Sequence, residues 1–463
     1  MTMWMPDLHS RSGPKYLAIA DAIAADIARG ALQPGAKLPP QRNLAYDIGV
    51  TLGTVTRGYA EAERRGLVGG EVGRGTFVKG EEALKVDGFV VPEPKRPGVL
   101  DLCHAIMPVG PSGQYLAETI REIANEPNIS VLAGYQILNA LPHHIEAGTN
   151  WIRRRIPGAA PDYVSMTGGA QHGILVTLMS LAHPGETILT ESLTYPGMPR
   201  LATQLGHNLE AVAIDSEGLL PEALDEACAK TSARILYCCP TLHNPTGGSM
   251  SEARREAIAE VARRRDLIVM EDDIWGGLID DAPPPLAVRI PERTIYLTSL
   301  SKCMAGGLRV GYIYAPDSYP QQIRANVRMT NWMTPPLMAE VAARWIESGR
   351  GDEIISWMKA ETAARIEIAR SHLGRFKFRA GPASTFVWLE LPESWRADAY
   401  KTAAEERGVR ILTSETFATG TGPHPQAVRM SIGCEHSREE IDQAFGILAE
   451  ILTANPAAAE VVA

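Results

Sequence analysis

No run of this 463-residue chain approaches the eighteen or so consecutive apolar residues that a membrane-spanning helix requires. Nor does the amino-terminal stretch show the basic-then-apolar pattern of an export signal, because Asp21 and Asp26 interrupt its first alanine-rich segment. Cysteine is scarce. The six present (Cys103, Cys228, Cys238, Cys239, Cys303, Cys434) form no C-x-x-C pair and no ligand spacing with histidine, which argues against a zinc site and against a disulfide framework. A reducing cytoplasm is the expected compartment. Net positive charge is absent too: the formal charge of -9 argues against a protein that coats nucleic acid over its whole surface. It leaves room for one small basic module. What is present, 45% hydrophobic and 21% charged residues, is ordinary soluble composition with enough apolar material for a large core. The length suggests roughly two to four domains.

From Pro14 to about Gly30 the apolar residues Tyr16, Ile19, Ile23 and Ile27 recur at three- and four-residue spacing, the signature of one helix face. Pro34-Gly35 then turns the chain. A second helix is expected from Pro40 to Ile48, burying Leu44, Ala45 and Ile48. Gly49-Val50 makes the turn into a third, which presents Leu52, Val55, Tyr59 and Ala62 on one face and runs to about Arg65. Two helices joined by a tight glycine-containing turn make a helix-turn-helix. Gly66-Leu67-Val68 and Gly75-Thr76-Phe77-Val78 read as short strands around a glycine-rich tip, a wing. Between Arg11 and Lys79 there are ten Lys/Arg against six Asp/Glu, a positive surplus in an acidic chain. That is the footprint of phosphate-backbone contact; by pattern alone, packing or dimerisation stays open.

Pro92, Pro94 and Pro97 mark a linker. Beyond it, short apolar runs (Tyr163 to Met166, Thr187 to Thr190, Arg234 to Cys238, Leu267 to Met270, Thr294 to Thr298, Leu308 to Tyr314) alternate with helical stretches such as Gln171 to Leu181 and Ser251 to Arg265. This is the α/β pattern of a mostly parallel sheet covered by helices, whose ligands bind outside the carboxyl ends of the strands. Chemistry-bearing residues cluster at those ends. Ser299-Leu300-Ser301-Lys302 follows one strand, with Arg309 seven residues later. A lysine kept partly unprotonated there can form a Schiff base with an aldehyde, and hydroxyls beside an arginine can hold a phosphate. Thr167-Gly168-Gly169-Ala170-Gln171 opens a helix whose free amides suit an anion. His243-Asn244-Pro245-Thr246-Gly247 and Glu271-Asp272-Asp273-Ile274-Trp275 follow two further strands.

Two resemblances join these observations. The wording Gly35-Ala36-Lys37-Leu38-Pro39-Pro40-Gln41-Arg42, then Gly53-Thr54-Val55-Thr56-Arg57, then Gly73-Arg74-Gly75-Thr76-Phe77-Val78 resembles the winged helix-turn-helix domain of the GntR family. It implies that Arg42, Thr54, Thr56 and Arg57 touch DNA, with Arg74 and Gly75 in the wing. Pro40 stands where that family usually has serine, which removes a capping hydroxyl, although proline is tolerated in a first helical turn. From about Leu100 to Thr453 the strand-end motifs, in their order, resemble the fold-type-I aminotransferases that use pyridoxal 5'-phosphate. That resemblance implies an internal aldimine at Lys302 and an Asp272 that pairs with the ring nitrogen. It puts Asn244 on the phenolic oxygen and Tyr195 on the ring face. Gly169, Ala170, Gln171, Ser299 and Arg309 take the phosphate, and Arg429 takes an amino-acid carboxylate. Tyr135, in Ala133-Gly134-Tyr135-Gln136, resembles the tyrosine that reaches the neighbouring subunit's phosphate, so a homodimer is expected. Trp275 departs from the pattern, since many relatives place tyrosine there, and an indole N–H donates but neither ionises nor accepts.

The expected layout is therefore a winged helix-turn-helix over 11–80, a linker over 81–100 and an α/β fold-type-I domain over 101–455 with a smaller carboxyl-terminal subdomain. This is the layout of the MocR subfamily of bacterial regulators. It implies a transcriptional regulator that binds operator DNA and answers to an amine, an amino acid or pyridoxal phosphate itself. An aminotransferase with an accessory DNA-binding domain is the alternative, because every group the chemistry needs is retained.

Overall fold

The computed structural model describes residues 4–6, 14–29, 31–33, 35–64, 67–71, 75–78, 98–136, 140–420, 424–434 and 436–454. They divide into two compact units between Phe89 and Val90. In the first, α1 (Lys15–Ala28), α2 (Gln41–Asp47) and α3 (Leu52–Arg64) precede a hairpin of β1 (Val68–Glu71) and β2 (Gly75–Val78). Ile19, Ile23, Leu44, Val55, Tyr59 and Ala62 share one core with Val68 and Val78. Gly58 lets α3 lie close on α1, for a Cβ there would come within 3.0 Å of the Ile19 side chain. The Tyr59 hydroxyl, buried with the core, donates to the Pro39 carbonyl at 2.8 Å.

The wing differs from its sequence reading. Its first strand runs to Glu71 rather than ending at Val68, because Gly69, Gly70 and Glu71 pair with Phe77, Thr76 and Gly75. Arg74, expected in the wing, and residues 81–97 of the expected linker lie outside the described residues.

The second unit enters through β3 (Leu100–Asp101), α4 (Ser112–Ala124) and α5 (Pro142–Arg153). Its main sheet is built from β4 (Val164–Thr167), β5 (Thr187–Glu191), β6 (Asn208–Val212), β7 (Ile235–Cys238), β8 (Ile268–Asp272), β9 (Thr294–Ser299) and β10 (Gly311–Tyr314), with α6 (Ala170–Leu181) after β4. The strand order is β4-β10-β9-β8-β7-β5-β6. From β9 to β6 every neighbour is parallel; β10 runs antiparallel to both of its own. Successive residues serve opposite faces, Ile235 packing with Ile174 and Met270, and Leu236 with Ile258 and Val269. Helices cover both faces, so the strands read as near-continuous apolar runs.

Two strands were misjudged from the sequence. The run from Leu308 becomes a strand only at Gly311, because Gly306–Leu308 is a 3-10 turn and Arg309 takes a left-handed φ of 51°. The half-exposed edge strand β6 was not anticipated.

A second, antiparallel sheet closes the carboxyl-terminal part: β11 (Phe378–Arg379), β12 (Phe386–Glu390), β14 (Leu412–Thr413) and β15 (Ala427–Ser431), in the order β11-β12-β15-β14. Between them, β13 (Val409–Arg410) pairs in parallel with β3. The start of this unit is thereby stitched to its end. Among the described residues no helix is long and apolar enough to cross a membrane.

Candidate functional site

A pocket opens at the carboxyl ends of β5, β7, β8 and β9, where a parallel sheet places its ligands. It gathers nine residues singled out in the sequence: Ala170, Gln171, Tyr195, Asn244, Asp272, Trp275, Ser299, Lys302 and Arg309. Ile174, Tyr237, Cys239, Ile274 and Ser301, which were not singled out, complete the lining.

Asp272 ends β8 almost fully buried. One oxygen, Oδ2, accepts from the Tyr237 hydroxyl at 2.6 Å. The other, Oδ1, has no hydrogen-bond partner among the described residues. Burial pushes this carboxyl up to about 6, against the lowering effects of the Tyr237 hydrogen bond, the Ile274 amide and Lys302. Lys302, just past β9, donates from Nζ to the Ala105 carbonyl and lies 5.5 Å from the centre of the Trp275 ring. Burial, then Arg429 and Arg309, brings its amine down to about 8. At neutral pH roughly a tenth of such an amine is uncharged and nucleophilic. A bare buried carboxylate oxygen and a weakened lysine on one pocket wall suit a ligand with a protonated ring nitrogen and an aldehyde.

The anion end is made by α6 and Arg309. Gly169 precedes the helix at φ 90°, and a Cβ there would sit 2.7 Å from Arg309 Nη2. Glycine thus lets the guanidinium reach the helix start, where it donates to the Gly168 carbonyl at 2.9 Å. The first amides of α6, at Ala170 and Gln171, lack intrahelical acceptors and carry the positive end of the helix dipole. Ser299 caps the turn that carries Lys302, accepting from the Ser301 amide at 3.2 Å. Ser301 Oγ accepts from Arg309 Nη1 at 3.4 Å. Phosphate recognition is the chemistry this arrangement supports.

Arg429, on β15, is buried between the rings of Phe417 and Phe386, 4.7 and 5.6 Å from their centres. Its Nη1 donates to Asn244 Oδ1 at 2.9 Å and its Nη2 to the Cys103 carbonyl. Nε has no partner among the described residues. Burial holds even this guanidinium down to about 10, so it favours an anionic partner. Tyr195 lines the pocket against Gly197, whose hydrogen leaves the ring its place: a Cβ would meet the tyrosine ring at 2.3 Å. Trp275 packs edge-on against Phe386 at 5.7 Å, and its buried Nε1 has no partner among the described residues. Tyr135 stands apart from this pocket. It is 80% exposed and packs edge-on against Trp332.

Elsewhere, His143 and His144 at the start of α5 turn Nε2 toward Glu340 Oε2 at 2.6 and 3.0 Å, while Arg344 donates to Oε1 at 2.7 Å. The guanidinium already brings positive charge to that carboxylate, so the group closes on itself.

In the first unit Thr51 starts α3, its Oγ1 accepting from the Thr54 amide at 3.2 Å. Thr56 donates to Gln41 Oε1 at 2.8 Å, tying the start of α2 to α3 although Pro40 supplies no capping hydroxyl. Arg42 and Arg57 are exposed, Arg57 lying 4.5 Å over the Tyr16 ring. Gly75 is exposed in the wing at φ 117°. Arg74 cannot be placed with them, being outside the described residues.

Residues 99–448 match the family model of aminotransferase class I and II. Residues 15–78 match that of the bacterial regulatory proteins of the gntR family. The chain is 29% identical over 97% of its length, and 96% of the relative's, to the uncharacterized HTH-type transcriptional regulator YdeF of Bacillus subtilis (strain 168). It is 27% identical to the kynurenine/alpha-aminoadipate aminotransferase of Rattus norvegicus, over 62% of this chain and 73% of that one. Among solved structures, it is similar in fold to LysN, an alpha-aminoadipate aminotransferase from Thermus thermophilus complexed with N-(5'-phosphopyridoxyl)-L-leucine. The TM-score is 0.70 at 23% identity, covering 77% of this chain and 92% of that one.

Proposed function

Because the chain belongs to the aminotransferase class I and II family and carries a gntR-family regulatory module ahead of that domain, we propose a MocR-type, DNA-binding transcriptional regulator that senses an amine or amino acid through bound pyridoxal 5'-phosphate. The relative that spans 97% of the chain is a regulator, whereas the aminotransferase relative spans 62%. The cofactor reading rests on one observation: Asp272 Oδ1, buried in the pocket wall without a hydrogen-bond donor among the described residues. A protonated pyridine nitrogen would complete it.

Lys302 would hold the cofactor through Nζ. Asp272 would pair with its ring nitrogen, Asn244 with its phenolic oxygen, and Tyr195 would cover the ring. The amide end of α6, with Ser299, Ser301 and Arg309, would take the phosphate. When bound, the cofactor supplies an aldehyde that captures a primary amine and a ring that withdraws electrons. Around it the chain does the rest. Lys302, with its amine near 8, gives and takes a proton near neutral pH. Arg429 orients a carboxylate, and Trp275 closes one wall with an N–H that donates but cannot ionise. A second copy of the chain would bring Tyr135 to the phosphate end, and the two winged helices of such a dimer would read paired half-sites. The effector acts by binding the two DNA-affinity states unequally.

A second reading, steady conversion of an amino acid to its keto acid, is favoured by the retention of both Lys302 and Asp272. One experiment separates the two. Purified full-length protein is titrated with pyridoxal phosphate and then with single L-amino acids while absorbance is followed; its affinity for DNA from upstream of its own coding region is measured in each state. The expected result is a visible band that Lys302→Ala abolishes, together with ligand-dependent DNA affinity. DNA binding indifferent to every ligand, alongside continuous keto-acid production, would overturn the regulator and leave the enzyme.

A further inference from the structure

Two glycines, Gly168 and Gly169, stand at the anion end of the pocket, and glycine is the residue least able to hold a conformation by itself. Gly168 is nevertheless gripped at both of its polar groups. Its carbonyl accepts from Arg309 Nη2 at 2.9 Å, and its amide donates to His172 Nδ1 at 2.9 Å. His172 is the third residue of α6 and lies outside the pocket lining. Its other ring nitrogen, Nε2, meets Thr330 Oγ1 at 2.7 Å, on the helix Pro320–Asn331. The Thr330 hydroxyl turns its one proton to the Asn326 carbonyl at 2.7 Å. The imidazole must therefore donate at Nε2 and accept at Nδ1, which is one neutral tautomer. Burial, with Arg309 as the charged neighbour, holds the ring below the ordinary histidine range and favours that neutral form. The fit is close: a Cβ on Gly168 would stand 3.4 Å from His172 Nδ1 and 3.3 Å from Asn331 Nδ2.

We propose that His172 is a positioning residue of the phosphate site: by accepting from the Gly168 amide it holds the Gly168–Gly169 backbone in the conformation that lets Arg309 and the first amides of α6 meet one anion. The inference rests on the cofactor reading and names a residue on which the phosphate end of that reading depends. A trans peptide sets its N–H opposite its C=O, so a Gly168 carbonyl held on Arg309 also fixes the direction of the Gly169 amide. Without an acceptor at Nδ1 the Gly168 amide is left unpaired, and two successive glycines are free to turn. A site that is formed only part of the time binds in proportion to that part. His172 thus acts through Gly168 and not by contact with the phosphate. A side chain at the third helical position that reaches back can also serve merely to cap its helix. The two roles part in what they do to ligand choice.

The full chain and two variants are titrated with pyridoxal phosphate and, in parallel, with unphosphorylated pyridoxal. In His172→Leu the advantage of the phosphorylated ligand should shrink about fivefold, the worth of one hydrogen bond, while pyridoxal affinity stays within about twofold of wild type. His172→Asn puts an oxygen where Nδ1 stands and should keep the advantage to within about twofold. Phosphorus NMR of the bound cofactor should show a shifted resonance in His172→Leu and the wild-type position in His172→Asn. An unchanged advantage in His172→Leu overturns the proposal and leaves His172 a helix cap. An equal loss for both ligands overturns it too. So does a loss of about fivefold in His172→Asn, which keeps a side-chain acceptor and tests the clamp even where His172→Leu does not fold. A wild type that gives no visible band with pyridoxal phosphate overturns the cofactor reading, and the clamp with it.

Discussion

Replacing Tyr237 by phenylalanine removes one hydroxyl from the pocket and should change when Asp272 is charged. The hydroxyl donates to Asp272 Oδ2 at 2.6 Å, and both residues are buried. With Asp272 near 6, about nine-tenths of it is ionised at pH 7. A hydrogen bond to a charged group contributes about 1.5–3 kcal/mol, so its loss raises the carboxyl by about 1 to 2 pH units. The ionised fraction at pH 7 then falls to between about a half and a tenth. Only the ionised carboxylate pairs with a protonated ring nitrogen. The dissociation constant for pyridoxal phosphate should therefore rise about 2- to 10-fold at pH 7, and the two proteins should converge by pH 9. Absorbance titrations across pH 5.5 to 9 measure this directly. A loss of affinity by the same factor at every pH would refute the reasoning, since it would place the effect of Tyr237 in packing and not in the ionisation of Asp272.

Three other perturbations have defined outcomes. Burial raises the Asp272 carboxyl from 3.8 to about 6, so its contribution to stability is full below about pH 4 and is lost as pH rises through about 6. Asp272→Asn should therefore raise the cofactor-free melting temperature at pH 8, by up to about 3 kcal/mol of stability, and do little at pH 4; calorimetry showing no gain at pH 8 contradicts this. Gly169→Ala strains a φ of 90° and drives a Cβ to 2.7 Å from Arg309 Nη2. At about 1–3 kcal/mol for such backbone strain, affinity for pyridoxal phosphate should fall roughly 5- to 150-fold while unphosphorylated pyridoxal, titrated in parallel, loses far less. In the first unit, Arg57→Ala should weaken DNA binding across sequences and lower the salt-dependence slope by about 1 if the guanidinium contacts phosphate; an unchanged slope with altered sequence preference would put it on a base edge.

Much of the pocket was legible because Asn244, Asp272, Lys302 and Arg309 sit in short polar turns at the ends of apolar runs. Tyr237 was hidden inside one such run. Its partner is 35 residues away, and only the lateral pairing of β7 with β8 brings the two together. Ser301 stood beside Lys302 in plain view, but which of the two serines caps the turn and which meets Arg309 depends on backbone direction. Arg309 also explains the misjudged start of β10. Its flanking residues favour a strand, yet the left-handed backbone at this position interrupts one. In the wing, Gly69 and Gly70 read as a tip because glycine weakens strands; pairing with Phe77 and Thr76 decides otherwise.

The four strands β9, β8, β7 and β5 stand side by side in the sheet, and from their ends come Lys302, Asp272, Asn244 and Tyr195 in turn. Neighbouring strands keep a spacing of about 4.8 Å, and none can slide without breaking a ladder of hydrogen bonds. A ring held by those four groups would therefore sit in a fixed gauge. Arg429 belongs to a different sheet, reaching the first through side-chain bonds such as that to Asn244. Changes in β12, β14 or β15 can resize the space around a ligand's side chain while the gauge stays in register. On the proposed function, a lineage of such proteins would acquire a new signal without rebuilding the apparatus that detects it.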